Sequence, residues 1–218
     1  MALLLNIPYS EKDEAKKLGA KWNPKLKKWY VQDKKDYYKF SKWILGNEDS
    51  ATIICDHIYI VEGIRQCFRC KQPTKVIGFG IENMFEIAKP EEYTNVYSPC
   101  QYYTDEIHIA PFLSNFTPEF LDFLDRNWGY RKDYSKIAGV DYYNHCSCCG
   151  VLQGNFYLFD EDDSPFFPTT ENEAKKLTLH KIIIENDFIF SGPIIFSTTD
   201  PFIKLHSSIC ELNYNFGM

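Results

Sequence analysis

Apolar and polar positions divide the chain into a short first block with clean periodicities and a longer block with mixed ones. Residues 3–7, apolar except for Asn6, read as a short strand. Ser10-x-x-Asp13 then reads as a capping-box-like helix start, with Asp where Glu or Gln is commoner. Ala15 and Leu18 supply a buried stripe, and Gly19 is a good C-terminal stop. Trp22 opens a second strand, Asn23-Pro24 marks a turn, and residues 28–32 return as the other arm of a hairpin. Residues 34–45 read as a second helix, with Tyr37, Tyr38, Phe40, Trp43 and Ile44 as its apolar surface. The predicted order over residues 1–45 is β-α-β-β-α.

Residues 47–50 form a polar linker. Beyond it, residues 53–61 read as one strand and residues 76–81 as another, while residues 84–115 show no clear period. Thr117-Pro118 starts a helix with proline at its first position, running to about Trp128. Residues 156–159 suggest a short strand, residues 160–163 an acidic loop, and residues 170–177 a short helix. Residues 182–196 suggest two strands turning at Gly192-Pro193. The expected class is α+β, with a small module at 1–45 and a larger mixed domain at 51–218.

Composition adds a compartment. The 218 residues include 17% aromatics, enough large apolar surface for a core without covalent staples. The apolar start at residues 1–5 lacks a basic flank and is too short for a secretory signal. No window approaches the roughly 18 apolar residues of a membrane span. The chain therefore reads as cytoplasmic, with no membrane partner. In a reducing compartment its eight cysteines are expected as thiols or metal ligands.

Cys55, Cys100 and Cys210 are scattered, and the other five cysteines fall into two groups. Cys67-x-x-Cys70 and Cys146-x-x-Cys149 are separated by 75 residues. Each pair suits a tight turn that aims two thiolates at one ion, with backbone amides stabilising the sulfurs. Two such turns supply the four-sulfur tetrahedron that structural zinc prefers. Cys67, Cys70, Cys146 and Cys149 are the expected ligands of one zinc ion in a zinc-ribbon-like site. Cys148 or His145 stands close enough in sequence to replace one of them. Unlinked buried thiols are the plainer reading, since free cysteine packs as a small apolar residue. A closed four-ligand site leaves no position for substrate, so the metal argues for architecture.

Charge separates the two blocks. Residues 1–45 hold eleven lysines against five acidic residues, and the remainder holds 13 basic against 25 acidic, within an overall charge of -6. Lys21, Lys25, Lys27 and Lys28 crowd the predicted hairpin among Trp22, Trp29 and Tyr30. Lysines gain on phosphate by counterion release, and exposed aromatics stack on bases. The bland alternative is a solvated lysine face over tryptophans that simply form a small core.

A resemblance covers this same block. The run from Ile7-Pro8-Tyr9-Ser10 through Leu18-Gly19-Ala20-Lys21-Trp22-Asn23-Pro24, followed by Lys28-Trp29-Tyr30-Val31, resembles a small domain of unknown function. That domain is appended to bacterial and plasmid DNA-processing proteins, conjugation primases among them. The resemblance implies a setting near DNA or mobile elements and brings no catalytic residue. The remainder, with Tyr143-x-His145-Cys146 and Cys149-Gly150-x-x-Gln153-Gly154 and Phe156, is similar to uncharacterised bacterial zinc-ribbon-like proteins.

Catalytic motifs are missing from the sequence. Gly78-Phe79-Gly80 lacks the third glycine of a phosphate loop, and Asp160 to Asp163 lack the spacing of a calcium loop. His57, His108, His180 and His206 stand isolated. The expected function is non-catalytic binding, with residues 1–45 contacting nucleic acid or a nucleic-acid-bound partner. The alternative is a protein partner for the acidic domain, as for an inhibitor or immunity protein of a mobile element.

Overall fold

The computed structural model describes residues 1–89, 100–113, 116–161, 164–190, 192, 194–198 and 200–214. Asp162, Asp163 and Pro193 lie outside the described residues, and with them part of the expected acidic loop and of the Gly192-Pro193 turn.

The first block forms β1 (Leu3–Leu5), α1 (Lys12–Lys17), β2 (Lys21–Asn23), β3 (Lys28–Val31) and α2 (Ser41–Leu45). β3 is the central strand, antiparallel to both β1 and β2. Leu3, Leu5, Trp29 and Val31 pack with Ala15, Tyr37, Phe40 and Ile44 into one core. Two helical expectations change. Ser10 caps nothing: a 3-10 turn over Tyr9–Glu11 opens on the Pro8 carbonyl, and α1 has no side-chain cap. The helix over 34–45 is a 3-10 segment, Lys34–Phe40, followed by α2. Side chains three apart eclipse in a 3-10 helix, which puts Tyr37 and Phe40 on one buried face.

The larger part continues with β4 (Ser50–Ile54), β5 (His57–Gln66), β6 (Pro73–Ile81), β7 (Met84–Ala88), β8 (Cys100–Tyr103) and β9 (His108–Ala110). Then come α3 (Pro118–Trp128), β10 (Arg131–Ser135), β11 (Gly139–His145), β12 (Leu152–Gln153), α4 (Phe156–Phe159) and α5 (Glu171–Ala174). The chain ends through β13 (Thr178–Ile183), β14 (Phe188–Phe190), α6 (Asp200–His206) and β15 (Ser208–Glu211). The fold is α+β. Its sheets run β15-β13-β5-β6-β9, β14-β4-β7-β8 and β10-β11-β12, with β13–β15 the one parallel pair among the described strands.

Three further elements differ from expectation. The single strand at 53–61 is two, β4 and β5, broken at Asp56, whose φ of 65° is in the left-handed region. The Asp56 N–H is held by Asp187 Oδ1 at 3.1 Å. Residues 156–159 form a helical turn, because the Asn155 carbonyl accepts from both Leu158 and Phe159. That turn directs Leu158 and Phe159 into the core. The two strands within 182–196 lie in different sheets, so the chain crosses between them at 184–187. α3 forms as expected, with Thr117 Oγ1 accepting from the Phe120 N–H at 3.2 Å.

The core of the first block extends into the second. Ala51, Ile53, Cys55 and Ile87 pack in the same cluster as Leu3, Trp29 and Phe40. Buried Tyr37 donates to Asp187 Oδ2 at 2.7 Å, across 150 residues of sequence. The Asp187 N–H in turn donates to the Ala2 carbonyl.

Candidate metal centre and nucleic-acid interface

Two hairpin tips, the knuckles, face each other. The loop after β5 holds Cys67 and Cys70, and the loop after β11 holds Cys146 and Cys149. The loops share one hydrogen-bond pattern. Cys67 N–H donates to Gln72 O and Lys71 N–H to Cys67 O, while Cys146 N–H donates to Val151 O and Gly150 N–H to Cys146 O, all at 2.9 Å. Lys71 and Gly150 occupy matching positive-φ positions, at 62° and 70°. Glycine takes that conformation freely; lysine adopts it under the constraint of the turn.

The sulfurs of Cys67, Cys70, Cys146 and Cys149 all lie within 4.8 Å of one another. Cys67 and Cys149 are 3.7 Å apart, and Cys70 and Cys146 are 3.6 Å apart. Such a donor set can hold a metal ion. Burial opposes charge on Cys67, yet the amides of Cys70 and Arg69 outweigh it and bring the thiol down to about 6. Burial also opposes charge on Cys146, where the amides of Cys149 and Cys148 prevail. At Cys70 the Gln72 amide favours the thiolate, but burial and the crowding sulfurs push the thiol up to about 12. Thiolates this close repel each other, and a cation bound among them relieves that repulsion.

The neighbouring candidates fall outside this set. Cys148 is exposed and contributes its N–H to Cys146 Sγ at 3.4 Å. His145 is buried and turned away, with Nε2 2.9 Å from Asp133 Oδ2 and Nδ1 2.9 Å from the Tyr143 carbonyl. Its ring is engaged on both sides.

Other contacts hold the tips in register. Asn144, fully buried, accepts from the Ile77 N–H at 2.7 Å and donates to the Ile77 carbonyl at 2.8 Å, tying β11 to β6. Thr74 Oγ1 accepts from the Ser147 N–H at 3.0 Å. Gln153 donates through Nε2 to the Val151 carbonyl at 2.9 Å and lies 3.6 Å from Cys67 Sγ. Asn144 does not stand out in the sequence, and Gln153 does so only as part of the Cys149-to-Phe156 stretch; the contacts to Ile77 and Cys67 depend on distant segments.

At the β2–β3 hairpin, Trp22 and Trp29 are directly opposite each other. Their rings meet edge to face at 5.4 Å, and they divide the roles expected of them. Trp29 belongs to the core, whereas Trp22 is 48% exposed. Lys21, Lys25 and Lys27 are exposed, without ion-pair partners among the described residues. Lys28 is half-buried and bonds Asn6 Oδ1 at 2.6 Å. Asn23 Oδ1 accepts from the N–H groups of Lys25 and Leu26, which fixes the turn that displays the lysines. A cleft of about 380 Å³ runs beside it, lined by Asn6, Ile7, Pro8, Trp22, Lys27 and Lys28.

The four histidines that look isolated in sequence all meet carboxylates. His57 is 2.8 Å from Glu82, His108 is 2.7 Å from Asp200, His180 is 3.3 Å from Glu62, and His206 is 3.7 Å from Glu171. Cys210 Sγ on exposed β15 lies 3.2 Å from His180 Nδ1, completing a thiol–imidazole–carboxylate row. Thiols beside an imidazole are candidates for enhanced reactivity.

Residues 3–44, which span this hairpin and its core, match a family described as a domain of unknown function, DUF5710. Within the same region the chain is similar to the DNA primase TraC of Escherichia coli. One such primase is 47% identical over 47 residues, covering 22% of this chain and 3% of the primase. A second TraC primase from Escherichia coli is 49% identical over 39 residues, covering 18% of this chain and 4% of the primase. The chain thus spans only 3% to 4% of the length of these relatives. The N-terminal module resembles a small domain found in DNA-processing proteins. No solved structure matches the chain. No helix among the described residues is long and apolar enough to cross a membrane.

Proposed function

We propose that this protein is a non-catalytic, zinc-stabilised binding protein whose N-terminal module contacts nucleic acid. The observation that carries the reading is the β2–β3 hairpin. It presents Lys21, Lys25 and Lys27 around half-exposed Trp22, within the segment similar to a DNA primase. Lys28 and Trp29 support that surface from beneath, through Asn6 and the Trp–Trp contact. Lysines displayed this way gain affinity by releasing counterions from phosphate.

Zinc is the metal proposed for the four sulfurs. A zinc–sulfur distance of about 2.3 Å makes a regular tetrahedron with edges of about 3.8 Å. The cross-knuckle distances of 3.7 and 3.6 Å support that fit. Four protein ligands close the coordination sphere, so the ion's role is to join the two hairpin tips.

The test is anisotropy of labelled single- and double-stranded DNA and RNA on the full chain across a salt series. Binding should weaken with salt. The triple variant K21Q/K25Q/K27Q should flatten the slope of log K against log salt by about 0.7–0.9 per lost phosphate contact. Absent or salt-insensitive affinity for every nucleic acid overturns the reading. Capture of one stoichiometric basic protein under those conditions favours the second reading, a protein partner for the acidic part. Its supporting observation is the excess of 25 acidic over 13 basic residues there.

A further inference from the structure

The larger part of the chain is acidic, yet its charge changes sign around the knuckles. Residues 63–81 include Arg65, Arg69, Lys71 and Lys75 and no acidic residue, and residues 142–159 include no Asp, Glu, Lys or Arg. Lys75 pairs with Glu62 at 2.9 Å. Arg65, Arg69 and Lys71 have no ion-pair partner among the described residues, and Arg69 and Lys71 are exposed.

Aromatic rings stand among these cations. Phe68, inside the first knuckle, is 56% exposed, and Tyr157 on α4 is 51% exposed. The Arg65 guanidinium lies 5.3 Å from the centre of the Tyr157 ring. Arg65, Phe68, Gln153, Gly154 and Tyr157 line a cleft of about 320 Å³. Gln153 is almost fully buried there. Its Nε2 faces the Val151 carbonyl and the Cys67 sulfur, both acceptors, which fixes the orientation of the amide. Its Oε1 is left as a buried acceptor with no partner. An unused buried acceptor is costly unless a donor reaches it.

Arg65 also lines an adjoining cleft of about 380 Å³ with Ser164, Glu173 and Lys176. Ser164 Oγ is likewise buried without a partner. The one carboxylate in that lining, Glu173, is occupied by the N–H groups of Thr169 and Thr170. The two clefts share Arg65; the first carries the aromatic rings and the second carries Lys176.

We propose that this knuckle face is a second binding site, for single-stranded nucleic acid. Unstacked bases present flat faces to Phe68 and Tyr157, and every base carries an N–H donor suited to Gln153 Oε1. The phosphates would run past Arg69 and Lys71. A duplex hides its base faces and so cannot use the rings. An apolar protein surface would cover the rings but leave the cations and the Gln153 acceptor unused. The inference stands apart from the N-terminal module, since the two clefts share no residue with it.

The experiment uses the full, metal-loaded chain and mixed-sequence single-stranded DNA carrying 4-thiothymidine. Photocrosslinks mapped by mass spectrometry should fall at Phe68 or Tyr157 and persist in K21Q/K25Q/K27Q. F68A/Y157A should weaken single-strand binding roughly tenfold while leaving duplex binding unchanged. R69Q/K71Q, which alters exposed charges alone, should reduce the salt slope with unchanged metal content and melting temperature. Crosslinks confined to residues 1–45, with unchanged affinity in both knuckle variants, overturn the proposal and leave the module reading standing. Crosslinks at the knuckle without any effect of the lysine variant keep this proposal and sink the module reading. A protein partner lost in F68A/Y157A, with no oligonucleotide bound, overturns this one.

Discussion

The N-terminal module and the paired knuckles solve the same problem by different means. Each must hold a short hairpin rigid enough to display side chains. The module does it by burial: Trp29, Val31, Tyr37 and Phe40 pack in one cluster that continues into β4 and β7. The knuckles have little apolar surface to bury. Their tips meet through four sulfurs, Asn144, Thr74 and a set of amide contacts. One surface is secured by side-chain volume and the other by chemistry. The first should tolerate loss of metal, and the second should not.

The largest effect should therefore come from the metal. Chelation, or Cys67→Ser or Cys146→Ser, should cost several kcal/mol, because structural zinc contributes its binding energy to folding. Elemental analysis should give one zinc per chain, lost in these variants. Thiol titration of the native protein should label exposed Cys148 and Cys210 first, with Cys210 slowed by His180→Ala. The four clustered cysteines should follow only after chelation. A melting curve indifferent to chelator would break the contrast between the two regions.

Next in size is the bond that ties the module to the rest. Asp187→Ala leaves the buried Tyr37 hydroxyl and the Asp56 N–H without their acceptor. An unsatisfied buried group costs about 1–3 kcal/mol. One shifted transition in calorimetry is expected, since the core of the module includes Ala51, Ile53 and Ile87. Two separated transitions would show the module melting by itself and would sharpen the comparison in the other direction.

The two regions also differed in how readily the sequence disclosed them. The knuckles were legible because the CxxC spacing is a local signal, and the roles of Cys67, Cys70, Cys146 and Cys149 need only two tight turns. The β1-α1-β2-β3 order was legible because each element carries its own periodicity. What failed depends on distant partners. Phe156–Phe159 is a short apolar run that fits strand or helix equally, and only the core decides. The break at Asp56 requires Asp187, 131 residues away. His180 looks isolated until Glu62, 118 residues earlier, is brought beside it. Gln153 stands in the stretch from Cys149 to Phe156, but nothing local in it points to the contact with Cys67, 86 residues earlier.

A smaller effect separates the metal from acid sensitivity. Burial opposes charge on Glu82, but hydrogen bonds from Lys204, Tyr59 and His57 prevail and hold its carboxyl at about 2. Burial also lowers His57 below the usual imidazole range, against the pull of Glu82. The signs agree. A depressed carboxyl contributes stability that is complete above its unfolded value near 4.5 and is lost as pH falls towards 2. A depressed imidazole adds a loss that begins as pH falls through 6.5, where the unfolded chain takes up a proton first. Glu82→Gln should therefore melt below wild type near neutral pH, with the gap closing below pH 4.5. Any metal lost in acid is lost from both proteins alike, so the difference between them is the readout. A gap independent of pH would mean that Glu82 acts through packing and not through its charge.

The smallest effect on stability should come from Trp22, and it bears most directly on function. Trp22→Ala removes a half-exposed ring whose edge-to-face contact with Trp29 is worth about 0.5–1.5 kcal/mol. Trp29 stays buried among β1 and α1 residues, so the module should remain folded. If Trp22 is a stacking surface, the variant should lose single-strand affinity while the salt slope stays constant, because no lysine has been touched. If it only shields Trp29, melting temperature and affinity should fall together in single and double strands alike. Trp22→Phe discriminates further: it restores a flat ring without the indole, and should recover binding only in the stacking case. The same pair of measurements on Phe68 would show whether the two hairpins, held so differently, present their aromatic rings for the same purpose.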